Sequence, residues 1–186
     1  MNAKGAALAV LLTCLIGGCE KVDLDADSQE KNGNNSQEQV VPISYGLGTQ
    51  ESPLLASQVL QGDGLSSSQY WVIGYVVGST YQNMNNATFE AETTNVRNIL
   101  LSMDYNCEDT KNCIPVELPT VGTQKALSLY HNNHLFRQCV MVLGQYGRYF
   151  NRNGIRNVQT GYWLPNFDLS NIKIAPTEWQ EQNMSY

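Results

Sequence analysis

Five cations, Lys125, Arg137, Arg148, Arg152 and Arg156, stand between Pro119 and Phe167 with no Asp or Glu among them. The same stretch carries Tyr130, Phe136, Tyr146, Tyr149, Phe150, Tyr162 and Trp163. Guanidinium groups pair with phosphate and carboxylate, and aromatic faces stack on bases, so this mixture is what a single-strand or other polyanion site is made from. Arg148, Arg152 and Arg156 gather around one expected hairpin with Tyr146, Tyr149 and Phe150, which makes these six the candidate polyanion-binding residues. The plainer reading puts the rings in a core and leaves the arginines as solvent-facing charges. Net charge alone does not carry nucleic-acid binding, because 11 Lys+Arg against 17 Asp+Glu give −6.

Other reactive types are sparse. His131 and His134 lie three apart and share a helix spacing, yet two imidazoles without a nearby carboxylate make a poor metal site, and they read as surface-loop residues. Glu108 and Asp109 read as a solvated loop tip rather than calcium ligands. Tyr45-Gly46-Leu47-Gly48 lacks the third glycine and the leading strand of a dinucleotide fingerprint, so it reads as a turn. No GxSxG, HExxH or P-loop spacing occurs. The expectation is a non-catalytic protein without metal or cofactor.

The amino terminus reads as an address. Lys4 precedes a short run of small and apolar residues, 5–16, too short to span a bilayer as a helix. It ends in Leu15-Ile16-Gly17-Gly18-Cys19, which resembles the bacterial lipobox. That resemblance implies a signal peptide over residues 1–18, cleavage after Gly18 and lipidation of Cys19, with acyl chains holding the protein at a membrane. Residues 20–39 are polar, with acids at Glu20, Asp23, Asp25 and Asp27, and read as a flexible tether. Such acids are similar to signals that send lipoproteins to the outer face of the outer membrane. The expected location is the bacterial cell envelope, periplasmic or surface-facing.

Export bears on the thiols. Cys14 leaves with the leader and Cys19 takes lipid, so Cys107, Cys113 and Cys139 enter an oxidising setting. Cys107 and Cys113 flank one turn and read as a disulfide, with Cys139 a buried unpaired thiol.

These residues must be positioned by a core. A chain of 186 residues with 42% hydrophobic content, 10 Tyr and 3 Trp exceeds what disorder would carry, and a single apolar run excludes a polytopic membrane protein. The domain is expected over residues 40–168, followed by a tail at 169–186 containing Trp179. Ser52-Pro53 with Leu54, Leu55, Val59 and Leu60 predicts a short helix ending at Gly62, or a short strand running into one. Aromatic and β-branched runs predict strands at 70–78, 98–102, 114–118, 139–146 and 155–160. A helix is expected at 123–130, glycine bends at Gly74 and Gly144, an edge or bulge at Pro115, and a hairpin turn at Asn151-Arg152-Asn153-Gly154.

Five strands with a helix between the third and fourth is the order of a mostly β, five-stranded Greek-key OB-fold barrel. The chain resembles a family of OB-fold domains of unknown function in secreted and lipid-anchored bacterial proteins. The resemblance rests on Gly48-Thr49, Trp71-Val72-Ile73-Gly74-Tyr75-Val76-Val77-Gly78-Ser79, Asn98-Ile99-Leu100-Leu101, Cys113-Ile114-Pro115-Val116-Glu117-Leu118-Pro119, Ala126-Leu127-Ser128-Leu129, Val142-Leu143-Gly144, Tyr149-Phe150 and Gly154-Ile155-Arg156-Asn157-Val158. His131-Asn132-Asn133-His134 departs from the expected proline turn after the helix. The resemblance implies a fold and no activity. The functional expectation is an envelope module binding a protein or glycan, with single-stranded nucleic acid or another polyanion at the basic hairpin as the alternative.

Overall fold

A computed structural model of the protein describes residues 40–170 and residue 172. The expected leader, Cys19, the tether and Trp179 lie outside the described residues.

The described elements run β1 (Leu54–Leu55), α1 (Ala56–Gln61), β2 (Gln69–Gly78), β3 (Asn98–Ser102), β4 (Cys113–Glu117), α2 (Val121–Leu127), β5 (Cys139–Tyr149) and β6 (Arg152–Trp163). Strand β2 is antiparallel to β3 and to β5, β3 is antiparallel to β4, and β5 is antiparallel to β6. The parallel β4–β6 contact, Val116 opposite Ile155, completes a closed ring of strands. Strand β1 adds to β2 in parallel, Leu54 opposite Val72, so the Ser52-Pro53 segment is a short strand running into the helix. Gly62 ends α1 in the left-handed conformation, φ 76°, donating its N–H to the Gln58 carbonyl.

Closing a ring from short strands needs bends. The β2–β3 register shifts between Val76 and Gly78, and the β5–β6 register shifts between Leu143 and Gln145. Gly144 sits at the second shift, where an added Cβ would lie 2.4 Å from Ile155 Cγ2. The sequence signal for the hairpin turn is displaced. Asn153 and Gly154 lie inside β6, and the turn is Phe150-Asn151, both at positive φ (51° and 63°). Gly154 serves close packing instead: a Cβ there would meet the Pro115 carbonyl oxygen at 2.5 Å.

Strand side chains alternate between two faces. Val72, Val76, Ile99, Leu101, Ile114, Val116, Val140, Val142, Ile155 and Val158 meet inside the ring, joined by Val59 of α1 and Leu127 of α2. Thr120 and Thr123 cap α2 reciprocally, each side chain bonding the other's backbone N–H. The outward face is apolar as well: Ile73, Tyr75, Val77, Leu100, Cys113, Cys139 and Met141 form a second cluster. Met84, Ala87 and Phe89 from the β2–β3 connection and Leu164, Phe167 and Leu169 after β6 cover it.

Candidate functional site

The β5–β6 hairpin projects past the ring with its six candidate residues in three different environments. Tyr149 and Phe150 stack, ring centroids 4.0 Å apart, and the Arg156 guanidinium lies over Tyr149 at 5.7 Å. Arg156 also pairs with Glu117 at 3.7 Å, from β4 alongside. Arg148 is exposed and donates to the Asn151 carbonyl at 2.6 Å, across the turn. Arg152 faces the other way, donating to the carbonyls of Thr110 and Cys113 and so tying β6 to the β3–β4 connection. Tyr146 packs against the interior, its hydroxyl close to the end of α1 at Gly62. The structure therefore brings Tyr149, Phe150 and Arg156 together, places Arg148 on the opposite face of the hairpin with Tyr146, and ties Arg152 to the β3–β4 connection.

A residue group outside the sequence expectation adjoins that tip. The Tyr149 hydroxyl donates to Asn98 Oδ1, at the start of β3, while the Asn98 amide donates to the Thr80 carbonyl. Phe150 shares the outer cluster with Ala87 and Phe89. Residues 79–97 and the hairpin tip thus form one continuous surface. Burial and the nearby Glu117 charge push the Tyr149 phenol up to about 12, with Arg156 and Arg97 opposing. Residues 79–97 read Ser-Thr-Tyr-Gln-Asn-Met-Asn-Asn-Ala-Thr-Phe-Glu-Ala-Glu-Thr-Thr-Asn-Val-Arg, dense in amides and hydroxyls. Tyr81 is 58% exposed on a turn held by the Asn86 amide and the Asn83 N–H, both donating to the Tyr81 carbonyl. Gln82, Asn83, Asn85 and Asn86 are exposed around it. The only cue in the sequence was this run of amides, which the strand pattern passes over as a polar loop.

The remaining candidates are dispersed. His131 and His134 are exposed, their rings edge-on to Tyr130 and Trp163 respectively. The N–H groups of Leu47, Gly48 and Thr49 all donate to the Ser52 carbonyl, closing the Gly46 region into a turn. Cys107, Cys113 and Cys139 are buried free thiols, so the disulfide expected between Cys107 and Cys113 is not formed in this structure. Burial raises Cys113 to about 12, with the neighbouring Cys107 adding to it, and burial alone raises Cys139 further. Thiols held protonated in this way are poor nucleophiles. A cleft of about 350 Å³ opens between Ser57 and Leu60 of α1 and the β3–β4 connection, including Asp104, Cys107 and Asn112.

The model of a domain of unknown function, DUF6359, matches residues 57–164, more than half of the chain. The chain belongs to the DUF6359 family. No curated protein matches the chain. The DUF6359 match begins inside α1 and ends just after β6, so it takes in the whole closed ring, the amide-rich connection and the hairpin.

Proposed function

We propose that the DUF6359 chain is a lipid-anchored cell-envelope module with an OB fold, which binds a glycan of the envelope without catalysis. The lipid anchor rests on the Gly17-Gly18-Cys19 motif after a short apolar leader. The OB reading is supported by the pairing order around the ring: β2, β3, β4, β6, β5 and back to β2, with α2 between β4 and β5 and a parallel contact only between β4 and β6. The observation that carries the binding reading is the meeting of two connections. OB folds take ligands at the connection between their first and second strands and the one between their fourth and fifth. Here those are residues 79–97 and the hairpin tip, joined by the Tyr149–Asn98 hydrogen bond. Amides both donate and accept, matching sugar hydroxyls, and an exposed ring supplies an apolar platform. Together these favour a glycan over a protein partner.

A glycan-array screen of the purified protein, followed by calorimetry, tests this. Binding weakened at least tenfold by Tyr81→Ala and insensitive to moderate salt is expected; absence of saturable binding to any glycan overturns it.

The basic hairpin supports a second reading, a single-stranded nucleic acid or other polyanion. Its guanidinium groups are engaged, however, since a phosphate must displace Glu117 from Arg156 and pull Arg152 off two carbonyls. Fluorescence anisotropy with a labelled oligonucleotide at two salt concentrations separates the readings, because phosphate contacts weaken steeply with salt.

A further inference from the structure

Cys113 opens β4 opposite Ser102, the last residue of β3, and Cys107 lies in the connection between them. A turn from the Cys107 N–H to the Asp104 carbonyl, at 3.0 Å, folds that connection back toward the strand ends. Both thiols point into the outer apolar cluster and contact one another there. Each S–H donates to a backbone carbonyl: Cys107 to Asp109 at 3.3 Å, Cys113 to Thr110 at 3.6 Å.

We propose that Cys107 and Cys113 are a disulfide-forming pair whose bond fixes the wall of the cleft beside α1. Two features of the structure support this pairing over one with Cys139. Loss of both S–H donors orphans no carbonyl, because Asp109 also accepts from the Asn112 N–H and Thr110 from Arg152. Cys139 is registered with Tyr75 on β2, Tyr75 with Ser102 on β3, and Ser102 with Cys113 on β4. Around the ring, β3 and β2 stand between Cys113 and Cys139 on one side and β6 on the other. The residues the bond would hold, Asp104, Asn106, Cys107, Glu108 and Asp109, form one side of the cleft.

The chemistry is an exchange with a disulfide oxidant such as oxidised glutathione. One thiolate attacks the oxidant's S–S bond, giving a mixed disulfide and one released thiol. The second thiolate then attacks the protein sulfur, forming the Cys107–Cys113 bond and releasing the second thiol. Two S–H protons go to solvent and two electrons reduce the oxidant. Burial keeps the folded Cys113 thiol protonated, so the exchange runs while the connection is still open during folding, and the packed cluster afterwards shields the bond.

The test is refolding of the reduced, unfolded full chain in a glutathione redox buffer, then alkylation and tryptic mapping without reduction. Cleavage after Arg97, Lys111, Lys125, Arg137 and Arg148 puts Cys107, Cys113 and Cys139 on separate peptides. Peptides 98–111 and 112–125 are expected joined, two hydrogens lighter than their sum, with Cys139 alkylated on 138–148. Recovery of 98–111 and 112–125 as separate alkylated peptides, or either one joined to 138–148, overturns the proposal. Reduction of the refolded protein should lower its melting temperature by about 5–10 °C, and the same treatment of Cys107→Ser/Cys113→Ser should leave it unmoved. An unchanged wild-type melting temperature overturns the stabilising role. The outcome is independent of where the protein resides.

Discussion

The two apolar layers of this protein are built from the same strands and held by different means. Inside the ring, Val72, Val76, Ile99, Leu101, Ile114, Val116, Val140 and Val142 touch one another across strands, so each is covered by regular structure. Outside, Ile73, Tyr75, Val77, Leu100 and Met141 are covered by irregular segments: residues 79–97 and the stretch after β6. The interior is thus cooperative with the hydrogen-bonded ladder, while the outer covering hangs on a few polar contacts. Loss of an interior side chain should act globally, and loss of an outer contact should act locally.

Leu101→Ala tests the first half. Leu101 is fully buried, and its Cβ lies 3.2 Å from where a Cβ added at Gly74 of β2 would stand. Removing a methine and two methyl groups there should cost about 2–5 kcal/mol in denaturant unfolding, in one cooperative transition. A cost under about 1 kcal/mol would mean that the ring collapses around the void.

Arg152→Ala tests the covering near the cleft. The guanidinium bridges the Thr110 and Cys113 carbonyls, and its loss should cost about 1–3 kcal/mol. Amide hydrogen exchange should accelerate in residues 103–112 while the β2–β5 ladder keeps its protection. Equal acceleration in both would erase the contrast between layers.

Tyr75→Phe acts on the other covering segment. The Tyr75 hydroxyl donates to Asp168 and accepts the buried Leu169 N–H at 2.6 Å. Without it that N–H loses its acceptor, at about 1 kcal/mol, and residues 164–170 should become the first site of protease cutting. Protection of that stretch unchanged from wild type would show that Leu164 and Leu169 hold it by packing alone.

The same contrast explains what was legible beforehand. The strands follow from their aromatic and β-branched runs, so β3 is found where Asn98 to Ser102 predicts it, and β2 within one residue of its expected start. The outer covering gives no such signal, because Met84, Phe89 and Leu169 come from stretches that read as polar loop or tail. The displaced hairpin turn has a related cause: Asn153-Gly154 carries the usual turn signature, yet its glycine is required by contact with Pro115, and Phe150-Asn151 turns without one. Arg148, Arg152 and Arg156 were correctly grouped along the chain. Their separation into a turn contact, a carbonyl clamp and an ion pair depends on β4 and the β3–β4 connection, which sequence neighbours do not reveal.

Glu117→Gln has the smallest expected effect on stability and bears most directly on the rim. The Arg156–Glu117 pair is 3.7 Å long with side chains 49% and 24% exposed, and Glu117 Oε2 also accepts the Asn157 N–H at 3.1 Å. A glutamine oxygen still accepts that N–H, so only the charge pairing goes, and exposed pairs contribute under about 1 kcal/mol. The substitution also removes the carboxylate that helps hold Tyr149 at about 12. Because the folded phenol sits above its ordinary value of 10.0, its stabilising contribution is complete below pH 10 and is lost as pH rises toward 12. With the carboxylate gone the phenol is raised less, so the stability lost between pH 10 and 12 should shrink and alkaline unfolding should begin at higher pH. The substitution also frees Arg156 from its carboxylate partner without disturbing the ring. If the hairpin is a polyanion site, oligonucleotide affinity at low salt should rise several-fold. If residues 79–97 are the binding surface for a neutral glycan, oligonucleotide binding should stay absent and glycan affinity should not change, which makes one conservative substitution a discriminator between the two readings of this rim.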